Sequence, residues 1–98
     1  TFPMIACGGA GVISVVANSQ PKIFAGMVNE ALNGEFESAK QKHYQLMDFI
    51  NLLFEQGNPG GVKAALKQQG ICSDQLRLPL WKVDKDLEDR IGVELDSL

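Results

Sequence analysis

Four kinds of residue in this chain could carry chemistry. Gly8-Gly9-Ala10-Gly11 could bring backbone close to a ligand. His43 could move a proton or hold a metal, Cys7 and Cys72 could act as thiolates, and the lysines could form imines. Each possibility depends on what surrounds it. A phosphate-binding loop follows a strand and opens a helix, but here the glycines precede the apolar run and no Gly-Lys-Ser/Thr follows. His43 is the single histidine, and Glu35 and Glu37 lie eight and six residues before it. That is not a His-Glu-x-x-His arrangement, so His43 reads as a packed or partly exposed structural residue. Cys7 and Cys72 have neither Cys-x-x-Cys spacing nor a histidine close in sequence. They read as small buried hydrophobes of a reducing compartment, with one disulfide left open. A catalytic lysine needs desolvation to lower its pKa. Lys22, Lys40, Lys42, Lys63, Lys67, Lys82 and Lys85 fall on predicted helices or turns, where they stay solvated and protonated. No metal site and no cofactor is read from these residues.

The elements that would position any such chemistry are mostly helical. The exception is Val12–Ala17, where four of six residues are valine or isoleucine and none is charged. A run apolar on both faces predicts a strand over 11–17 of the kind buried in a parallel sheet. Such a strand needs neighbours, and the rest of the chain reads as helix. The strand therefore pairs with something these residues do not supply, and an internal start at Thr1 fits that reading. Before it, the early Pro3 and the closing glycines predict a short helix within residues 1–10. After it, Ser19 is the expected cap and Pro21 the first-turn residue of a helix with an apolar stripe of Ile23, Phe24, Met27, Val28, Ala31 and Leu32, closed by Asn33-Gly34.

A longer helix is predicted from about Glu35 to Glu55. Its seam of Phe36, Ala39, His43, Leu46, Ile50 and Leu53 is heptad-like, widened later by Met47, Phe49, Leu52 and Phe54. Residues 56–61 read as a turn, followed by a short helix from Gly61 or Val62 to Gln69 with Val62, Ala65 and Leu66 inward. Residues 71–81 read as irregular, anchored by Leu76, Leu78, Leu80 and Trp81. Asp84 caps a last helix with Leu87, Ile91 and Leu95 on one face and an acidic first turn that suits the helix dipole. Gly92 weakens that helix by roughly 1 kcal/mol relative to alanine.

Composition excludes several classes of function. The 98 residues are 45% hydrophobic and 21% charged with a net charge of -3, and the mean hydropathy is -0.04. No basic patch suits nucleic acid or anionic lipid. No run approaches the ~18 apolar residues of a membrane span, and no basic region precedes an apolar stretch as in a signal peptide. A cytoplasmic protein of one domain at most is expected.

The motifs, taken in order, resemble one family. Phe2-Pro3-Met4-Ile5, Gly8-Gly9-Ala10-Gly11-Val12-Ile13-Ser14-Val15 with Asn18, Asn58-Pro59, Val62-Lys63-Ala64-Ala65-Leu66 and Leu76-Arg77-Leu78-Pro79-Leu80 resemble the C-terminal portion of the dihydrodipicolinate synthase and N-acetylneuraminate lyase family. Those enzymes are (β/α)8 barrels that bind pyruvate as a Schiff base. A barrel of that kind needs roughly 250 residues, so the resemblance covers about its last third. It implies that residues 1–18 end the barrel with a short helix and the last strand, and that 19–98 form the last barrel helix and a C-terminal helical region. The fold class it implies is mainly α, one strand and four to five helices of a barrel's C-terminal part.

By that resemblance the backbone at Ile13, and then Ser14, lines the pyruvate pocket. The Schiff-base lysine, the proton-shuttling tyrosine and the carboxylate-binding loop would lie on earlier strands, so the 98 residues alone are expected to be inactive. The late motifs point to the synthase branch, which condenses pyruvate with aspartate semialdehyde in lysine biosynthesis, in a homo-oligomer. Many relatives carry a second proline near Gly61, so a looser turn is expected here. A freestanding helical interaction module without catalytic activity, pairing through the 36–53 seam, is the alternative.

Overall fold

Proline and glycine punctuate this sequence, and the helices lie between them. The computed structural model describes residues 1–98. In chain order it contains α1 (Phe2–Ala6), a 3-10 turn (Val16–Asn18), α2 (Pro21–Leu32), α3 (Phe36–Phe54), α4 (Gly60–Gln68) and α5 (Lys85–Ser97). Pro3 and Pro21 stand in the first turns of α1 and α2, where no N–H is needed. Gly34, at φ +79°, closes α2 in the left-handed conformation that disfavours a side chain.

The chain forms two compact units, Thr1–Met47 and Asp48–Leu98, and α3 runs from one into the other. In the first unit, α2 packs on α1 and on the 3-10 turn. Ile5, Val16, Phe24, Met27 and Ala31 are buried; enclosing a side chain the size of Met or Phe contributes about 1.5–3 kcal/mol. Lys42 of α3 reaches Glu30 of α2 at 2.7 Å. Its methylenes cross α2 at Gly26, where a Cβ would stand 3.4 Å from Lys42 Cε.

In the second unit, α4 packs on α5, with Val62, Ala65, Leu87 and Ile91 buried. The Gln68 amide fills the notch that Gly92 leaves in α5 and donates to the Glu88 carbonyl at 2.6 Å. The helix-weakening glycine therefore has a packing reason. Arg90 forks both Nη atoms onto the two carboxylate oxygens of Glu55 and sends Nε to Asp86 at 2.9 Å.

Several expectations are corrected by the fold. No strand forms over 11–17. A strand exists only by pairing, no second strand is present, and from Val15 the chain already turns into the 3-10 helix. The cap of α2 is Gln20 rather than Ser19, which is buried at the end of the 3-10 turn. The α3 seam is also lopsided. Ala39, Leu46 and Leu53 are fully buried, with Phe49 beside them, but Phe36 is exposed and His43 and Ile50 are only half-covered. That second row lies about 60° round the helix from the first, on its shoulder.

Gly60 and Gly61 belong to α4, not to the turn before it, and are buried within the first turn of the helix. In the 71–83 segment Leu78, Leu80 and Trp81 are exposed, and the buried anchor is Val83. Bulk alone does not make an anchor in a segment without periodicity.

The Asp84 cap is present as expected. Its carboxylate accepts from the Leu87 N–H at 2.9 Å and from Gln56 Nε2 at 2.7 Å. The Leu87 amide, and after it Gln56, hold this carboxyl below the ordinary aspartate value of 3.8. A depressed carboxyl contributes stability that is fully present above its unfolded pKa and is lost as pH falls through its folded pKa. The melting midpoint of wild type should therefore exceed that of Asp84→Ala by a constant margin at neutral pH. That margin should close as the pH is taken below 3.8, and thermal melts followed by circular dichroism across this window check it.

Candidate functional site

A segment of unpaired backbone joins α1 to the 3-10 turn. At its first end, the Gly8 and Gly9 N–H groups donate to the Ile5 and Met4 carbonyls, both at 2.9 Å. Gly9 lies so close that a Cβ would sit 2.9 Å from the Met4 oxygen, so only glycine fits. At the second end Val16 is 3% exposed and pins the chain against the first unit's core. Between these anchors Ala10, Gly11, Val12 and Ile13 are exposed, and their peptide groups take no part in the backbone hydrogen bonds. Ile13 is the extreme, at 105% relative exposure. An apolar, uncharged stretch with free N–H and C=O groups can accept a neighbouring strand on either edge, or offer its peptides to a small polar ligand.

Ser14 stands where this span enters the turn. Its Oγ accepts from the Ala17 N–H at 3.1 Å, which caps the 3-10 turn as a serine caps a helix. Asn18, four residues on, donates Nδ2 to the Val15 carbonyl at 3.0 Å and to the Ser14 carbonyl at 3.5 Å. Ile13 and Ser14 are thus adjacent but differently held, one projecting freely and the other tied down. The Asn18 contacts were not foreseen; an asparagine four residues after a serine, at the end of a β-branched run, is their only trace in sequence.

The other chemistry-bearing residues are elsewhere, and several of the lysines are paired. Lys40 pairs with Glu37 at 2.8 Å, Lys67 with Glu88 at 2.9 Å and Asp74 at 3.0 Å, and Lys85 with Asp89 at 2.7 Å. Hydrogen bonds donated to these carboxylates raise the pKa of each of the three lysines, which is opposite to what a nucleophilic amine requires. His43 lies between aromatic rings, its centroid 5.9 Å from that of Phe2 and 5.4 Å from that of Tyr44. Burial lowers its pKa. It packs as a structural residue. Cys7 and Cys72 are free thiols and exposed, not buried, so the small-hydrophobe expectation for them is wrong. No group of His, Cys, Asp and Glu gathers as a metal would need. No helix is long and apolar enough to cross a membrane.

Comparison with known proteins matches residues 1–98 to the model of the "Dihydrodipicolinate synthetase family". A 4-hydroxy-tetrahydrodipicolinate synthase of Flavobacterium psychrophilum is 46% identical over 93 residues, covering 95% of this chain and 32% of that protein. The synthase of that name from Methanocaldococcus jannaschii is 49% identical over 86 residues, covering 88% of this chain and 30% of that protein. Among solved structures, the dihydrodipicolinate synthase of Aquifex aeolicus superposes with a TM-score of 0.93 at 38% identity, over 98% of this chain and 33% of that one. This chain spans about a third of the length of the relatives it matches, and what it matches is their C-terminal part.

Proposed function

The chain belongs to the dihydrodipicolinate synthetase family, and on that premise we propose that it is the C-terminal part of a pyruvate-dependent synthase. The enzyme condenses pyruvate with aspartate semialdehyde, in lysine biosynthesis, in the cytoplasm and as a homo-oligomer. The observation that carries this reading is the match of 93 of its residues, at 46% identity, to a protein named for that synthase. Within it, residues 1–18 close a barrel and 19–98 form its last helix and a helical extension. The free edges of Ala10–Ile13 suit that role, because a last barrel strand takes one neighbour on each side.

The reaction runs through an amine that residues before Thr1 supply. That lysine adds to the keto carbon of pyruvate and water leaves, giving a Schiff base. A methyl proton is then lost to form an enamine. The enamine carbon attacks the aldehyde carbon, and the aldehyde oxygen takes up a proton. This chain's part is the pocket wall. The backbone of Ile13, and of Ser14 beside it, lines the space for pyruvate and offers it hydrogen-bonding groups. Neither residue is a nucleophile. Such chemistry gathers at the C-terminal ends of barrel strands, and Ile13 and Ser14 lie at the C-terminal end of the 10–13 span.

The test uses the polypeptide that carries this sequence in its native cells. A chain about three times as long as this one, matching the one-third coverage, should lose activity when treated with borohydride in the presence of pyruvate. It should also gain the mass of a reduced pyruvate adduct. The 98 residues alone should gain none. A native polypeptide of 98 residues, or a long one that borohydride and pyruvate leave unmodified, would overturn the reading and favour the helical interaction module.

A further inference from the structure

Resting on the pyruvate reading, we propose that Asn18 is a positioning residue that acts with the Ser14 hydroxyl to fix the Ile13–Ser14 backbone lining the pocket. The span from Ala10 to Ile13 has no backbone hydrogen bonds of its own, so its direction is set from its two ends. The Gly9 end is held by the hydrogen bond that its N–H donates to the Met4 carbonyl at 2.9 Å and by close packing. The other end leads into a turn of only three residues, Val16–Asn18, and isolated 3-10 turns have poor hydrogen-bond geometry.

Two side chains reinforce that turn. The Ser14 hydroxyl takes the Ala17 N–H, and the Asn18 amide ties down the carbonyls of both Ser14 and Val15. The Val15 carbonyl also accepts the Asn18 backbone N–H at 3.1 Å, so it is held twice. Together these bonds hold the Ser14–Val15 and Val15–Val16 peptides, on which the direction of the preceding Ile13–Ser14 peptide depends. Asn18 itself is exposed. Shortening it leaves no cavity, so its effect falls on direction and not on core packing. The amide is required, because an aspartate of the same shape would turn an anionic oxygen toward two carbonyls.

The experiment measures both KM values and kcat for the full-length polypeptide and its variants. Asn18→Asp and Ser14→Ala should each raise the KM for pyruvate about tenfold, the effect of losing hydrogen bonds that hold a binding group. The KM for the aldehyde and the melting midpoint should stay near wild type. Ser14→Thr, which keeps the hydroxyl, should recover most of the pyruvate affinity that Ser14→Ala loses, and the double variant should be no worse than the stronger single one. An unchanged pyruvate KM in both single variants overturns the proposal. So does a parallel rise in both KM values with a fallen melting midpoint, which marks a structural role alone. If Asn18→Asp fails to fold, the Ser14→Ala and Ser14→Thr pair decides. A wild-type protein that borohydride cannot trap with pyruvate removes the pocket and this proposal with it. One that traps normally while the variants keep their KM sinks only the positioning role.

Discussion

Gly61→Ala should unfold this chain more readily than any other single methyl group added to a helix here. Alanine in place of glycine inside a helix ordinarily gains about 1 kcal/mol. At Gly61 the added Cβ would lie inside the van der Waals envelope of the Leu53 carbonyl, with the Leu53 Cα only 2.7 Å away. Both contacts are backbone atoms of α3, so no side chain can swing aside. Helix α4 would have to move off α3 within the second unit, opening the packing around Leu53, Val62 and Ala65, all buried. Overpacking that cannot relax costs about 3 kcal/mol. In a chain of this size that corresponds to roughly 15 °C in melting midpoint.

The control is Gly26→Ala. There a Cβ meets only the flexible Lys42 stem, at 3.4 Å, and the helix gain should leave the midpoint unchanged or raised. Urea titrations of both variants read the difference directly. Equal midpoints would mean that α4 and α3 do not approach at Gly61.

Phe49→Ala is the second large effect. Phe49 is 0% exposed, whereas Phe54, five residues further along α3, is 48% exposed. The two changes remove the same atoms from the same helix. At Phe49 the loss combines transfer of a ring to water with an unfilled cavity, about 4 kcal/mol. At Phe54 the ring is already half in water and its loss should cost under about 1 kcal/mol. Denaturant unfolding of the 98-residue chain should therefore separate the two variants widely. Similar midpoints would show that Phe49 is not enclosed.

Much of this architecture can be read from single residues. Pro21 and Asn33-Gly34 bound α2, and Asp84 caps α5, because start and stop signals act within one turn and need no partner elsewhere. The Gly-Gly-Ala-Gly-Val-Ile-Ser-Val run and the motifs after it placed the family, and the matched residues 1–98 bear that out. The pocket role of Ile13 and Ser14 belongs to the proposed enzyme and rests on that likeness.

Other features were decided by tertiary packing alone. The valine-rich run 11–17 has every local property of a strand, yet it forms none. Strand structure comes from pairing across space, and no partner segment is present. Propensity could not tell Phe49 from Ile50, because both sit on an apolar helix and only the direction of the neighbouring core makes one buried and the other half-covered. Gly61 looked like a turn residue and proved to be a contact point, since the position of the Leu53 backbone appears nowhere in the sequence around Gly61. The Asn18 contacts to Ser14 and Val15 became visible only once the backbone turned at Val16. The sequence by itself determined the helices, the Asp84 cap of α5 and the family, because those signals are local or are matched as a pattern. The tertiary structure decided which apolar residues are core, which glycines cannot be replaced and which polar groups hold the exposed span, because each depends on atoms distant along the chain.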